Sequence, residues 1–337
     1  MTQSGEVPPL KVLFVTSMHP SPQFPLRGII VLRLAEALRR LGHQIEVLEL
    51  GAGSPLRYVR ERPRVKRAAR ILRSHIVHAH FGYSGLAASS VRVPLVTSFY
   101  GDDLQGTWTA SGGTSTKSKV GVLLSQMVAL RSTRCIAVSE SLRSRLWLPR
   151  ARQKTDVVRD SVDPHLFKPI DKGVARARLG IPMEDILVLF PHDVTQPTKR
   201  LWLAQKAVDK LRVSEPGAKL WVVNGRPPDE MPWFYAASDV MLVTSVLEAG
   251  PSSAKEALAC GVPVVSVAVG DLELFQDVPD AMFLSGPSED DLAESLRKGL
   301  RVGSEPRTSR LPTQLTLDSA ARRVEAVYAT AVRGFAQ

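Results

Sequence analysis

Cysteine and long apolar runs are both scarce in this chain. The two cysteines, Cys135 and Cys260, lie in apolar surroundings, which favours buried thiols over a disulfide. Residues 1–9 are polar and show no signal-peptide pattern, and no apolar run reaches the length needed to cross a bilayer. No internal repeat or low-complexity tract stands out. We therefore expect a cytoplasmic protein that has neither a disulfide framework nor a membrane span.

Length and apolar content indicate the class of protein. The chain has 337 residues, 44% of them hydrophobic, and a mean hydropathy of -0.02. Single hydrophobic cores stop growing beyond about 250–300 residues, so a chain of this length usually forms two domains. The sequence predicts a soluble globular protein with two domains.

Positive charge exceeds negative charge, and part of it is concentrated. The 44 basic and 33 acidic residues give a net charge of +11. Within residues 57–73 the only acid is Glu61, and the cations are Arg57, Arg60, Arg62, Arg64, Lys66, Arg67, Arg70 and Arg73. Three interpretations stay open: a solvated helix face, attraction to an anionic membrane surface, and nucleic acid. We expect no nucleic-acid partner, because no recognition motif accompanies the charge.

Strand and helix patterns alternate through the first half of the chain. The predicted strands are 11–16, 44–50, 75–80, 94–98 and 134–138, and the predicted helices include 29–41 and 64–73. Near-continuous apolar strands that alternate with helices are typical of a parallel sheet covered on both faces. The pattern predicts a doubly wound α/β domain over residues 1–160.

The same pattern then starts again. Its predicted strands are 185–190, 218–223, 239–244 and 261–267, with a helix at 201–211 among those between them. Pairs that end in proline, at 163–164 and 168–169, break regular structure and mark the joint. The sequence predicts a second Rossmann-like domain at 161–315. Residues 316–337 hold an amphipathic helix at 317–335.

The most informative segment is residues 248–265, which reads Glu-Ala-Gly-Pro-Ser-Ser-Ala-Lys-Glu-Ala-Leu-Ala-Cys-Gly-Val-Pro-Val-Val. Glu248 follows an apolar strand, and Glu256 lies in a short helix that ends at Gly261. A loop that opens a helix presents free backbone N–H groups and a partial positive charge, which suits a phosphate. Both carboxylates can face the same ligand and bind a sugar hydroxyl and a ribose. The alternative is a pair of solvated surface acids.

This segment resembles the Glu-x7-Glu signature of the retaining glycosyltransferase family 4, which has the GT-B fold. The resemblance implies two doubly wound Rossmann-like domains that face each other across a cleft, with the C-terminal helix crossing back to the first. It also implies transfer of a sugar from a nucleotide sugar, such as a UDP-sugar, without a metal or other cofactor. In the family's roles, Glu248 contacts donor sugar hydroxyls and Glu256 the ribose. The donor-binding loop comprises Gly250, Pro251, Ser252 and Ser253, and the backbone N–H groups of this loop, which the proline lacks, are assigned to the diphosphate.

Family members carry a Gly-Arg pair after the first strand of the second domain, followed by a lysine. These cations neutralise the leaving diphosphate. Lys199 matches the lysine, and Arg200 is assigned to share its work. The Arg position has no clear counterpart, since His192 and Gln196 lie nearest to it. The alternative is a helix start with exposed cations.

The segment at 221–232 is shorter than in many family members, which insert a helix and a strand there. Arg226 is a candidate to contact the base or the diphosphate, and a surface cation is the alternative.

The first domain supplies the remaining candidates. Arg27 and Gly28 belong to a 25–28 loop that resembles the glycine-bearing loop near the donor phosphate and the acceptor, where glycine permits close approach. His80 ends a strand at the predicted cleft edge, and a structural histidine is the alternative. Tyr100 stands where the family commonly has histidine and can still donate a hydrogen bond. Asp102 and Asp103 are assigned to the acceptor or sugar.

The resemblance implies a retaining, metal-independent glycosyltransferase, and the short second domain looks closest to bacterial envelope polysaccharide transferases of the teichuronic acid type. The expected acceptor is a glycan, a lipid-linked glycan or a small molecule. A peripheral position of the protein at the inner face of an anionic membrane is one of the interpretations left open for the basic segment. A nucleotide-sugar epimerase or a catalytically degenerate GT-B binding subunit is the alternative, because fold does not fix function. The sugar, the base, the acceptor and the oligomeric state are left open.

Overall fold

A computed structural model describes residues 8–20, 27–107, 115–248, 250–275 and 278–335. The strands are β1 Lys11–Thr16, β2 Gln44–Glu49, β3 Ile76–His80, β4 Leu95–Phe99, β5 Arg134–Ala137, β6 Thr155–Val157, β7 Ile186–Phe190, β8 Ala218–Val222, β9 Val240–Val243, β10 Val264–Val267 and β11 Met282–Ser285. The first helices are α1 Ile29–Arg40, α2 Pro55–Arg60, α3 Arg62–Leu72, α4 Gly82–Ala88, α5 Asp102–Gln105, α6 Thr116–Arg131 and α7 Glu140–Ser144. The others are α8 Pro149–Gln153, α9 Lys172–Leu179, α10 Leu201–Leu211, α11 Met231–Ala237, α12 Ser252–Ala259, α13 Glu289–Gly303 and α14 Leu317–Phe335.

The chain divides into two compact units. One comprises Met1–Asp160 together with Leu317–Gln337, and the other Ser161–Thr316. Each is built around one parallel sheet, so the predicted class of two Rossmann-like α/β domains is confirmed.

The first sheet has the strand order β2-β1-β3-β4-β5-β6. Residues alternate between its two faces: Val12 and Phe14 enter one apolar cluster, and Leu13 and Val15 enter another. The helix α14 joins the first of these clusters, where it packs against α1. The chain reverses its direction of winding between β1 and β3, which makes the carboxyl ends of these strands the expected ligand position in this unit.

The second sheet has the order β11-β10-β9-β7-β8 and a single large core. Here the switch point lies between β7 and β9, which pair through Val188–Val240 and Leu189–Met241. At the opposite, amino-terminal edge, the fully buried Arg176 donates to Oδ2 of Asp239 at 2.9 Å. The same oxygen accepts from the backbone N–H of Leu187 at 2.7 Å, which fixes the start of both strands.

Several predicted elements match the structure closely. The strand at 11–16 and the helices at 201–211 and 317–335 have the predicted bounds. The strand predicted at 261–267 starts only at Val264, because Gly261 adopts φ 78° to end the preceding helix. Both cysteines are buried free thiols, as predicted. In the described residues, no helix is long and apolar enough to cross a membrane.

Candidate functional site

The loops that follow β7 and β9 meet at the switch point of the second sheet. The ammonium of Lys199, in the first loop, forms an ion pair with Oε1 of Glu248, in the second. Each side chain is 17% exposed, so the pair is accessible while largely shielded from water. The structure thus brings together the two residues that the sequence assigned to the leaving group and the donor sugar.

Hydrogen bonds hold these two loops against each other. Oγ1 of Thr244 donates to the carbonyl of Lys199 at 2.6 Å, and Nε of Arg200 donates to the carbonyl of Thr244 at 2.5 Å. The backbone N–H of Val246 donates to the carbonyl of Thr198 at 2.8 Å. Arg200 has a left-handed backbone, φ 51°, and begins α10. Its guanidinium therefore serves as a brace between the loops.

The helix α12 starts four residues after Glu248. Its N-cap residue is Pro251, which supplies no side-chain hydrogen bond to the first turn. Ser252 is exposed and Ser253 half-buried. A Cβ atom on Gly250 would lie 3.1 Å from Nζ of Lys255, so glycine at this position allows the lysine ammonium to lie close to the loop backbone. Free N–H groups at a helix start attract anions, and this is the site predicted for the diphosphate.

A buried ion pair lies behind the same loop. Nζ of Lys255 is 2.8 Å from Oδ2 of Asp271, and the two side chains are 0% and 5% exposed. Gly270, which precedes Asp271, adopts φ 66°, and a Cβ there would meet Pro251 Cδ at 2.9 Å. Sequence reasoning missed this pair, although the unusual position of a lysine inside an apolar helix was a signal for it.

Glu256 is oriented by a tyrosine from the preceding helix. The buried Tyr235, on α11, donates from Oη to Oε2 of Glu256 at 2.9 Å. Glu256 itself is half-buried. The carboxylate thus keeps acceptor capacity for further hydroxyl groups, as its predicted contact with ribose requires.

His192 occupies the position after β7 where the family's arginine has no match. Burial, followed by the nearby charge of Lys199, lowers the pKa of His192 to about 3, so the ring is neutral at pH 7. Its Nε2 is buried and has no hydrogen-bond partner in the part of the chain that the structure describes. Sequence reasoning noted this residue and gave it no role.

Arg226 lies in the short loop after β8 and is exposed. Its guanidinium carbon lies 5.4 Å from the centroid of the Phe234 ring, within the range of a cation–π contact. Both the predicted contact with the base and the alternative of a surface cation are compatible with this position.

The first unit has its own cavity at the switch point between β1 and β3. Its volume is about 390 Å³, and its lining includes Ser17, Met18, Phe81, Gly82, Tyr83, Asp102, Asp103, Thr107, Ser115, Lys117, Ser118, Gly121 and Ser125. The two candidate aspartates for the acceptor thus reach one cavity. Phe81 has φ 72° and ψ 151°, a backbone region almost confined to glycine, and such strain clusters at functional sites.

Asp103 is tied to the backbone at the edge of this cavity. Its Oδ1 accepts from the N–H groups of Gly101 at 3.0 Å and Tyr100 at 3.2 Å. Burial nevertheless raises the pKa of Asp103 to about 6. Asp102 is exposed and accepts from Oγ1 of Thr107 at 3.3 Å.

His80 and Tyr100 are joined inside the first sheet. Nδ1 of His80 is 2.8 Å from Oη of Tyr100, and the ring of His80 stacks on His78 at 4.1 Å. Burial, followed by the charge of His78, holds the pKa of His80 well below its usual value. Burial also raises the pKa of the Tyr100 phenol. Both groups are therefore uncharged at neutral pH, and Nε2 of His80 is buried with no partner among the described residues.

Gly28 and Arg27 both contact Met18. Gly28 begins α1 with φ 72°, and a Cβ there would lie 2.2 Å from the carbonyl oxygen of Met18. This close approach requires glycine. Nε of Arg27 lies 3.0 Å from Sδ of Met18, which itself lines the cavity. Pro25 and Leu26, from the same predicted loop, lie outside the described residues. In the described ranges no group of three or more His, Cys, Asp or Glu side chains is arranged to hold a metal ion.

Both halves of the chain match families of glycosyltransferases. Residues 28–166 match the family described as Glycosyltransferase Family 4, and residues 204–309 match Glycosyl transferases group 1. Each half of the chain is thus similar to a glycosyltransferase family. A relative, the D-inositol 3-phosphate glycosyltransferase of Stackebrandtia nassauensis, is 34% identical over an alignment of 204 residues, with a coverage of 50% of this chain and 45% of the relative. The match thus spans about half the length of that glycosyltransferase. Several relatives, from different bacteria, carry the name D-inositol 3-phosphate glycosyltransferase, and this corrects the expected closeness to the teichuronic acid type.

Solved structures share the fold of this chain. Sucrose-phosphate synthase from Thermosynechococcus elongatus superimposes with a TM-score of 0.74 at 16% identity, covering 95% of this chain and 98% of that one. Anabaena Alr3699/HepE, in complex with UDP and glucose, gives 0.69 at 17% identity, with 95% and 100% covered. UDP-GlcNAc 2-epimerase from Methanocaldococcus jannaschii gives 0.58 at 12% identity, with 95% and 100% covered. These likenesses establish the GT-B type of fold.

Proposed function

We propose that this protein transfers a sugar from a nucleoside diphosphate sugar, such as a UDP-sugar, to an acceptor hydroxyl with retention of anomeric configuration. The observation that carries the proposal is the Lys199–Glu248 pair, four residues before the start of α12, whose N-cap residue Pro251 supplies no side-chain cap. A diphosphate sugar presents negative charge next to hydroxyl groups. A cation, free N–H groups and a carboxylate in one cluster of loops complement both parts.

In the proposed reaction Lys199 and the first turn of α12 bind the diphosphate, and Glu248 accepts hydrogen bonds from the donor sugar. The bond between the anomeric carbon and the diphosphate oxygen breaks, and a bond from the acceptor oxygen to the same carbon forms on the same face. The acceptor proton passes to the leaving phosphate. Lys199 stabilises the charge that develops on the leaving group, which is electrostatic catalysis. No nucleophile from the protein and no metal ion is required in this proposal.

Other residues would complete the donor site. Glu256, oriented by Tyr235, binds the ribose, and Arg226 binds the base or the diphosphate. The brace from Arg200 to Thr244 keeps Lys199 in position. His192 offers an uncharged ring beside Lys199, so it can contribute a hydrogen bond without a charge.

The acceptor would bind in the cavity of the first unit, where Asp102 and Asp103 accept hydrogen bonds from hydroxyl groups. Arg27 and Gly28 approach it from the loop before α1, and His80 and Tyr100 lie beneath its edge. A glycan, a lipid-linked glycan of a bacterial polysaccharide pathway, or a small polyol meets these requirements. The named relatives act on D-inositol 3-phosphate, which favours a hydroxyl-rich acceptor.

A panel of nucleotide sugars, assayed for release of the nucleoside diphosphate with NMR of the product anomer, tests this proposal. Lys199→Met should abolish release, whereas Lys210→Met, which removes an exposed cation of the same unit, should not. A product with inverted configuration would refute retention. Absence of turnover on every donor, in a folded protein, would refute the enzyme assignment.

A nucleotide-sugar epimerase is the second candidate, because an epimerase shares the fold. It would convert the donor without joining it to an acceptor. A product that is covalently linked to the acceptor excludes the epimerase, and binding of a nucleotide sugar without turnover would support a degenerate binding subunit.

A further inference from the structure

The outer face of α6 is apolar and exposed. Its residues, with exposed fractions of 39–47%, are Val120, Leu123, Met127 and Leu130. Their spacing of three or four residues places them on one side of the helix. On the other side Val128 and Ala129 are buried in the core. This helix is therefore apolar on both sides, while only one of the two sides is buried.

A second element continues this face. Trp147 and Leu148, between α7 and α8, are 57% and 50% exposed. They share with Leu123, Met127 and Leu130 a hollow of about 150 Å³. Gln126 fixes the junction, because its Oε1 accepts from the N–H of Trp147 and its Nε2 donates to the carbonyl of Arg145, both at 3.0 Å. We call Val120, Leu123, Met127, Leu130, Trp147 and Leu148 the α6–Trp147 surface.

The segment that carries this surface is strongly basic. Residues 115–154 contain a single acid, Glu140, and the cations Lys117, Lys119, Arg131, Arg134, Arg143, Arg145, Arg150, Arg152 and Lys154. Glu140 pairs with Arg143, and Arg134 pairs with Asp156. With 3.6 residues per turn, Lys119 and Arg131 lie on opposite flanks of the apolar stripe of α6. An apolar centre with a cationic rim complements an anionic lipid surface.

We propose that the α6–Trp147 surface docks on an anionic bilayer. Its aliphatic residues and Trp147 would enter the headgroup boundary, where tryptophan is favoured, and its cations would face the lipid phosphates. A second copy of the chain fits less well, because pairing would bring two cationic rims together. The site differs from the basic segment at 57–73, which the sequence analysis offered for the same partner. This inference rests on the proposed function in one respect only: a glycosyltransferase with a lipid-carried acceptor would need to reach a membrane.

Vesicle sedimentation tests the proposal on the full chain. Vesicles of phosphatidylcholine with phosphatidylglycerol should bind the protein, and vesicles of phosphatidylcholine alone should bind it less. The double variant Met127→Gln/Trp147→Ser should lower the partition coefficient about tenfold or more, since it removes apolar groups that insertion would bury. The control Trp202→Ser changes a tryptophan of the second unit that is 58% exposed, and it should bind as wild type.

Fluorescence and a charge variant test whether the α6–Trp147 surface or the basic segment at 57–73 contacts the membrane. Tryptophan emission should shift to shorter wavelength on binding, and Trp147→Phe should remove that shift. Arg60→Glu/Arg64→Glu/Arg67→Glu should weaken binding less than the double variant does. If this charge variant alone abolishes binding, the basic segment is the docking site and the proposal is wrong.

Light scattering in solution tests whether the protein self-associates through this surface. A dimer that the double variant converts to a monomer, without vesicle binding, would make this surface a contact between copies and overturn the proposal. Absence of both vesicle binding and dimerisation would also overturn it. Vesicle binding by a protein without turnover would refute the proposed function and leave this inference intact.

Discussion

Oη of Tyr235 donates a hydrogen bond to Oε2 of Glu256 across 2.9 Å, and so joins α11 to the helix that opens at the proposed diphosphate site. The carboxylate that would bind the ribose is therefore held by a residue outside its own motif. A shift of this carboxylate would weaken donor binding while the remaining charges of the site stay in place.

Tyr235→Phe should raise KM for the donor about threefold to tenfold, because one hydrogen bond contributes about 1 kcal/mol. Glu256→Ala should abolish transfer. Tyr58→Phe, which removes a hydroxyl that donates to Gly51 in the first unit, serves as the control and should leave KM unchanged. Steady-state kinetics with varied donor measure all three, and an unaltered KM in Tyr235→Phe would argue against a ribose contact by Glu256.

Glu248→Gln should separate transfer from nucleotide binding. Transfer should fall below about one-tenth of wild type, a loss of more than ~1.4 kcal/mol in the barrier. Binding of UDP should stay equal or tighten, since the carboxylate that competes for the ammonium of Lys199 is gone. Lys199→Met should weaken both.

Calorimetric titration with UDP, together with kinetics, measures this separation. If Glu248→Gln loses UDP binding to the same extent as Lys199→Met, the ion pair has a structural role and the assignment of Glu248 to the sugar is wrong.

Lys255→Met should destabilise the second unit by about 3–5 kcal/mol, because it leaves the buried carboxylate of Asp271 without its cation. Lys219→Met is the matched control. Lys219 lies 2.6 Å from Asp185 but is 57% exposed, so this loss should cost less than about 1 kcal/mol. Denaturant unfolding monitors both. The double variant Lys255→Met/Asp271→Leu should recover most of the loss, and equal costs for the two single variants would contradict the argument.

Asp103 should make stability depend on pH between about 4 and about 6. Its pKa is raised to about 6 in the folded protein. The folded state thus binds the proton more tightly than the unfolded state, so the contribution of this group is full below the unfolded value and is lost as pH rises through 6. Relative to Asp103→Asn, the wild-type free energy of unfolding should fall across this range and then stay level. Asp102→Asn should keep the wild-type profile, and parallel curves for wild type and Asp103→Asn would refute the shift.

Activity should survive EDTA, because Lys199 and the start of α12 already offer positive charge to the diphosphate. Turnover before and after chelation measures this. Loss of activity that Mg²⁺ or Mn²⁺ restores would contradict it and direct attention to Asp102 and Asp103.

Local patterns were sufficient for much of the fold and for one part of the site. The strand Val240–Val243, the loop after it and the short helix are contiguous, so their residues carry a joint signal. Contacts between residues far apart in the chain leave no such local signal in the sequence. Lys199 and Glu248 are 49 residues apart, and Arg176 and Asp239 are 63 residues apart. The helix α6 was missed because its apolar residues face both the core and the solvent, which removes the one-sided period that marks an amphipathic helix.

The position of α14 has a consequence for the order in which the protein folds. This helix supplies Leu317, Val324 and Tyr328 to the core of the first unit, where Oη of Tyr328 lies 2.7 Å from Nδ1 of His78. The second unit is continuous in sequence, so its residues leave the ribosome before α14 does. During synthesis the second unit can therefore close its core first, while the earlier residues of the first unit wait with apolar surface uncovered. A chaperone that binds nascent chains would meet this protein at the face of α1 that α14 later covers.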